Sequence, residues 1–336
     1  MTDNCILPEF DIDEAAALAR QLYGLDGPIR QLDGERDLNF LVGEKGARVV
    51  FKIANAAESP AMLECQHRVF EKLAAARVFP ATVKALESVN GKSMEPVRDA
   101  GGRSHVCRAL PYVEGRLLRE IENPSLALLG DIGSRLASLD RALEDFSHPA
   151  LERPLLWKMD SAPEIVDTYS PLLGDTAGAL VEHFAAGYRH RVLPRLAELR
   201  RRVIHNDANR ANLVIDESGS RLLSIIDFGD MVNGWLVVDP SIAATYVMLD
   251  RRAPLEAAAA LFAGYREMLP LRPAEIETAF DFICMRLCMS LCIGVHQCAQ
   301  QPDNEYLGTD LDAVQRLLGE LREIDPVDAR AIIFAG

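Results

Sequence analysis

The sequence predicts an α+β fold of two unlike lobes, a β-rich first third followed by a mostly helical remainder. Segments with strand-like alternation, interrupted by one amphipathic helix, are confined to residues 1–110. Beyond residue 116 the apolar residues recur at helical spacing. One polar-ended hairpin, Val203–Asp230, interrupts those helices. A chain of 336 residues is long enough for about two domains and a sizeable core. The expected organisation is a first lobe over 1–110, a connector over 111–116 and a helical lobe over 117–336, with a ligand site where unlike lobes meet.

The elements come in this order. Asp11 with Glu14 three residues on predicts a capped helix whose apolar face is Ala15, Leu18, Ala19 and Leu22, closed by Gly24. Three strands are expected at Ile29–Leu32, Asn39–Val42 and Arg48–Ala54, the last containing Val49-Val50-Phe51-Lys52-Ile53. Ser59-Pro60 starts a helix, because serine suits the cap and proline the first helical position. Strands near Lys84–Val89 and Ser104–Leu110 complete this region, and Leu110–Gly115 leads out of it. Helices are expected over Pro124–Leu143, Thr176–Arg200, Val237–Leu249, Leu255–Met268, Pro273–Ala299 and Leu311–Arg322.

Composition narrows the function classes. The net charge of −14 is spread along the chain, which disfavours nucleic-acid or anionic-membrane partners but allows a local basic pocket. No uninterrupted run reaches the eighteen or so apolar residues of a membrane span. Met1–Phe10 lacks the pattern of a signal peptide. The seven cysteines (5, 65, 107, 284, 288, 292 and 298) contain no Cys-x-x-Cys and are odd in number, which suits reduced thiols and a cytoplasmic location.

The hairpin carries the chemistry. Asp207 lies before its first strand and Asp227 after its second, so both fall at one end, and Asn212 sits where the loop becomes strand. Phosphoryl transfer to a hydroxyl needs a carboxylate to accept the hydroxyl proton, plus an amide oxygen and a second carboxylate to hold Mg²⁺. His-x-Asp-x4-Asn alone arises by chance in roughly one chain of this length in a hundred at average residue usage. Asp227-Phe-Gly at the end of the next strand makes accident much rarer. The bland alternative is a surface hairpin with acidic ends.

Lys52, on the third strand, stands where a kinase pattern grips the α- and β-phosphates, against the alternative of a solvated lysine on a sheet face. Its expected partner is Glu64 on the following helix, preferred over Glu71. The loop Asp33–Asn39 has only Gly34 where nucleotide loops carry several glycines. Arg36 there meets phosphate oxygens, or the loop is a plain turn. Tyr112 and Val113 are candidates for backbone contact with a purine edge, since Pro111 has no N–H. His205 is expected to brace the loop. Asp230 helps hold the acceptor or caps the next segment of chain. Arg286, inside the apolar, sulfur-rich helix Pro273–Ala299, either holds a substrate carboxylate or forms an internal ion pair, for example with Asp239 or Asp281. Cys284, Cys288 and Cys292 share a face but suit core packing better than a metal site. No Ala-Pro-Glu platform for a peptide comes after Asp227-Phe-Gly, so the acceptor is a small molecule.

These residues resemble the aminoglycoside phosphotransferase and choline kinase superfamily of small-molecule kinases, over most of the chain and with a protein-kinase-like fold. Gly34-Glu-Arg-Asp-Leu-Asn-Phe40, Leu63-Glu64-Cys-Gln66, Asp227-Phe-Gly-Asp-Met231 and Arg286-Leu-Cys-Met-Ser-Leu291 look most like hydroxylysine kinases, with homoserine kinases of the same fold next. The resemblance implies a first lobe that binds nucleotide, Asp207 as base, Asn212 and Asp227 as Mg²⁺ ligands and Lys52 on the phosphates. It also implies ATP or GTP as donor and an amino-acid acceptor for Arg286. Asn206 departs from the Gly or Arg of many members. Other readings keep the kinase but change the acceptor to homoserine, choline or an amino sugar, or make the chain an inactive nucleotide-binding pseudokinase. A choline-type acceptor calls for an aromatic cage, whereas Trp157, Trp235 and Tyr246 are scattered in sequence. The oligomeric state is not legible.

Overall fold

The computed structural model describes residues 8–34, 36–81, 83–300 and 310–335, so Cys5, Glu35 and most of the Met1–Phe10 stretch lie outside the described residues. The chain divides into two compact units, Met1–Glu114 and Gly115–Gly336.

In the first unit α1 (Ile12–Tyr23) begins at a reciprocal cap. Asp11 Oδ1 accepts the Glu14 N–H at 2.8 Å, and Glu14 Oε2 accepts the Asp11 N–H at 2.9 Å. Gly24 ends it with φ +63°. The strands β1 (Ile29–Leu32), β2 (Leu38–Val42) and β3 (Val49–Ile53) precede α2 (Pro60–Ala75), capped by Ser59, and β4 (Glu95–Arg98) and β5 (Ser104–Pro111) come after it. They form one antiparallel sheet in the order β1-β2-β3-β5-β4. Alternation sends Val49, Phe51 and Ile53 to the face that packs with Phe40, Ala109 and the Ala15–Ala19–Tyr23 side of α1. Lys52 therefore points to the other face, directly opposite Arg108 on β5. The strand expected at Lys84–Val89 is not one. That segment is irregular, tied by Leu86 N–H to Ala109 O and Val89 N–H to Leu22 O. The outer edge of β5 is taken by β4 instead, where Pro96 is tolerated at the sheet's rim.

The second unit runs β6 (Arg116–Leu117), α3 (Leu126–Ala142), α4 (Ala162–Tyr169), α5 (Asp175–Arg191), β7 (Arg201–Ile204), β8 (Leu213–Ile215), β9 (Leu222–Ile225), β10 (Val232–Trp235), α6 (Val238–Met248), α7 (Pro254–Met268), α8 (Pro273–Gln300), α9 (Leu311–Arg322) and α10 (Pro326–Ile333). The helix expected over Thr176–Arg200 stops at Arg191. Pro194 cannot supply an N–H, and the chain tightens into a 3-10 turn over Leu193–Glu198 before entering β7. The elements β6, β10, α4 and α10 are not legible in the sequence because each is too short to show a period.

α8 has the length and apolarity to cross a membrane, yet 89% of its most apolar window is buried inside the unit, where it packs against α4, α5, α6, α9 and α10. Its charged start is anchored by Arg200 on Glu275 (2.6 Å) and Arg191 on Asp281 (2.6 Å).

α3 and α7 approach backbone to backbone. A Cβ on Gly133 would fall on the Leu261 carbonyl, and one on Gly264 would fall on the Gly130 carbonyl. Backbone cannot yield as a flexible side chain does. Gly264→Ala is therefore expected to cost about 1–3 kcal/mol, the range for overpacking. A urea midpoint equal to that of the wild type would show that the two helices slide apart without cost.

Candidate functional site

The second unit assembles its polar centre from two antiparallel strand pairs. β7 pairs with β10, setting Ile204 opposite Val232, and β8 pairs with β9, setting Leu213 opposite Ile225. The hairpin turn is organised by Asp216, whose carboxylate accepts the N–H groups of Ser220 (2.7 Å) and Arg221 (3.1 Å). The Ile226 N–H donates to Asn212 O at 2.9 Å. This backbone bond places Asn212 beside the residue preceding Asp227, so the loops 205–212 and 227–231 emerge together.

Buried hydrogen bonds fix the first loop. His205 is wholly buried, and burial holds its imidazole below the usual value, hence neutral. Its Nδ1 accepts the Asp207 N–H (3.2 Å), so its Nε2 carries the proton and donates to Ile226 O (3.1 Å). One ring thus ties the two loops together, and Phe228 packs against it edge-on at 4.7 Å. From α6, Asp239 accepts the N–H groups of His205 (3.0 Å) and Asn206 (2.7 Å). Asn206 has φ +66° and Asp227 φ +60°, left-handed conformations that Asn and Asp bear better than other L-residues. Two such residues at one centre mark strain held by the surrounding bonds.

Asp207 is held at both carboxylate oxygens. Asn209 Nδ2 donates to Oδ1 at 2.9 Å, while Asn212 Nδ2 donates to Oδ2 at 2.7 Å and to Asp207 O at 2.9 Å. Its side chain keeps 22% of its exposure. Burial and the neighbouring acid Asp230 push its carboxyl up to about 8, while Arg286 and the Asn209 bond pull the other way and Asp227 adds a smaller upward push. Asp230 is nearly buried, whereas Asp227 is exposed and accepts the Gly229 N–H at 3.3 Å. Arg153 donates to Gly229 O, steadying this second loop.

Arg286 forms the internal ion pair that one sequence expectation allows, but with neither of the acids named for it. Its partners are neither Asp239 nor Asp281, which are engaged by the loop amides and by Arg191. It lies 3.6 Å from Asp207 Oδ1, donates to Trp157 O (3.1 Å) and Tyr246 Oη (3.3 Å), and faces the Trp157 and Tyr246 rings at 4.6 and 5.8 Å. Arg286 is 1% exposed. Trp157 and Tyr246, scattered in sequence, meet here. No periodicity or motif marks such a convergence from α6, α8 and an irregular segment. Cys284 and Cys288 are buried and their thiols pushed up, as is Cys292, to about 12. Among the described residues no group of three or more His, Cys, Asp or Glu is arranged for a metal ion.

In the first unit Lys52 is half-buried beside Arg108 on one sheet face. α2 meets that face through Gln66, whose Oε1 accepts from Arg108 Nη1 at 2.5 Å. Glu64 lies on the exposed side of α2 and pairs with Arg68 at 3.7 Å, not with Lys52. The expectation for Glu64 is thus corrected: a place near the helix start does not say which side of α2 is buried. Arg36 is half-buried in the loop before β2. Gly34 is required there, because a Cβ would collide with the Asn39 side chain and Asp37 O. Tyr112 N–H already donates to Arg48 O (3.0 Å), so it is not available to a purine. Val113 remains.

The profile of the phosphotransferase enzyme family matches residues 28–274. Hydroxylysine kinase of Bos taurus is 30% identical over 324 residues, 89% of this chain and 85% of that protein. Hydroxylysine kinase of Danio rerio is 29% identical over 340 residues, 96% of this chain and 95% of that protein. Among solved structures, an amicoumacin kinase in complex with AMP-PNP, Ca²⁺ and Ami superposes with TM-score 0.72 at 17% identity, over 95% of this chain and 97% of that one. A microcompartment-associated aminopropanol kinase gives 0.71 at 19% identity, over 96% and 100%. These structures share the kinase-like fold.

Proposed function

Because the chain belongs to the phosphotransferase enzyme family, we propose that it transfers the γ-phosphoryl group of ATP or GTP to a hydroxyl of a small amino acid or amine, most closely a hydroxylysine-like acceptor. The observation that carries this reading is the doubly held Asp207 carboxylate with Asn212 and Asp227 alongside. Asp207 accepts the acceptor's hydroxyl proton. Asn209 and Asn212 aim its oxygens, and Arg286 favours its ionised form. Positioning and charge compensation supply most of the catalysis in such transfers.

The donor set suits Mg²⁺. Asn212 spends its amide nitrogen on Asp207, which turns its oxygen to the opposite edge, and Asp227 offers an exposed carboxylate. Two hard oxygen donors and the mutual repulsion of Asp207, Asp227 and Asp230 call for a hard cation. Asn212 and Asp227 would hold the ion, which would neutralise charge on the transferring phosphates. Lys52 and Arg36 are assigned to phosphate oxygens and Val113 to the base.

Asp230 is assigned to an ammonium group of the acceptor, in surroundings whose acids favour a cationic substrate. A quaternary ammonium is disfavoured, because Trp157 and Tyr246 already flank Arg286. The names of the curated relatives support hydroxylysine. The test is a phosphorylation screen crossing ATP and GTP with hydroxylysine, homoserine, choline and amino sugars. Hydroxylysine is expected to give the highest kcat/KM. A tenfold or greater preference for another acceptor (about 1.4 kcal/mol) would sink the acceptor assignment. Silence with all four would sink the reading itself.

A further inference from the structure

Behind the catalytic loop lies a second acid that the proposed chemistry does not use. Asp140, on α3, is 1% exposed. Its Oδ2 accepts from Tyr265 Oη on α7 at 2.5 Å. Among the described residues no N–H or O–H group reaches its Oδ1. The carboxyl of Asp239 on α6 lies near enough to hold that of Asp140 above its ordinary range. Asp239, wholly buried, accepts the His205 N–H on one oxygen and the Asn206 N–H on the other. Two buried carboxyls set side by side repel if both are ionised, which favours a proton on one of them. Asp239 is committed to two N–H donors. Asp140 has one donor and a bare oxygen, which is where a proton belongs. Each Asp239 oxygen keeps a lone pair for it.

We propose that Asp140 is a positioning residue: it stays a neutral acid and donates its proton to Asp239, locking the loop that carries Asp207. The chain of bonds runs from Tyr265 through Asp140 and Asp239 to the amides of His205 and Asn206. From there His205 passes it to the Asp207 N–H and to Ile226 O. Burial and the adjacent Asp239 both hold the Asp140 carboxyl well above its ordinary range, with Tyr265 and Arg200 opposing them. The proton has a geometric purpose. Without it, Asp140 and Asp239 repel, and the loop loses its rear support while every group touching substrate is still present.

The inference rests on Asp207 being the base, so its test has a readout independent of turnover. Infrared spectra of the full-length protein labelled with ¹³C-aspartate, at neutral pH, are expected to show a protonated-carboxyl component that persists in Asp207→Asn and vanishes in Asp140→Asn. A signal that Asp140→Asn leaves unchanged overturns the proposal. In kinetics, Asp140→Asn keeps both bonds, its amide donating to Asp239 and its carbonyl accepting from Tyr265. Its kcat should therefore stay within about threefold of wild type, whereas Asp140→Leu, which leaves Asp239 short of a donor, should lose about tenfold or more. The nucleotide KM should be unchanged in both. An Asn variant as impaired as the Leu variant overturns the proposal. Should the Leu variant fail to fold, the Asn variant and the spectra decide. A wild type inactive on every acceptor removes the base reading and leaves the spectra to judge Asp140.

Discussion

Asp207→Asn is expected to lower kcat by roughly 10²–10⁴-fold, the span attributed to a positioned proton acceptor, with nucleotide affinity and stability nearly unchanged. The stability half of this comes from the local electrostatics. Asp207 is pushed up to about 8 by burial and by Asp230. At neutral pH and without a cation it is therefore already mostly protonated, and a neutral amide of the same shape replaces a mostly neutral acid. Asn keeps an acceptor oxygen for only one of the Asn209 and Asn212 amides and turns an NH2 to the other, a loss of about 1 kcal/mol. Single-turnover phosphorylation, nucleotide titration calorimetry and thermal unfolding separate these effects. Wild-type turnover would remove Asp207 from the chemistry. A large fall in melting temperature would show that its charge supports the fold.

Arg286→Met is expected to move the acid limb of the pH–rate profile to higher pH, lowering kcat/KM at pH 7 by at least about tenfold, one pH unit's worth. Arg286 stabilises the ionised form of Asp207, so removing it raises the pH needed to deprotonate the base. At a fixed pH below that point, each unit of upward movement leaves a tenth as much active base. Methionine roughly fills the space between Trp157 and Tyr246 without the charge. Arg286→Lys keeps a charge but not the plane that faces the two rings, and should restore the limb only in part. A limb that does not move in Arg286→Met would detach the guanidinium from the base. A rise confined to the acceptor KM would instead return it to substrate binding.

The places where sequence reasoning fails share a cause. Distance from the helix start favours Glu64, yet the side of α2 that meets the sheet is set by Gln66 on Arg108, a contact across 42 positions. Tyr112 has an N–H to offer, but the register of β3 against β5 hands that N–H to Arg48. The segment at 84–89 has the composition of a strand and loses the edge of β5 to β4. In each case the local pattern is sound and competition for one partner decides the outcome.

What the sequence determined by itself was whatever depends on neighbours along the chain. The caps at Asp11 and Ser59, the alternation that sends Lys52 and Phe51 to opposite faces, and the spacing of Asp207, Asn212 and Asp227 around one hairpin all act over a few residues, where backbone geometry leaves little choice. Only the tertiary structure decided what surrounds Asp207. Arg286 enters from α8, Trp157 from an irregular segment, and Asp239 and Asp140 from two further helices. Charge and hydrogen bonding act through space, and no short-range pattern says which distant acid a buried cation or a bare oxygen will meet.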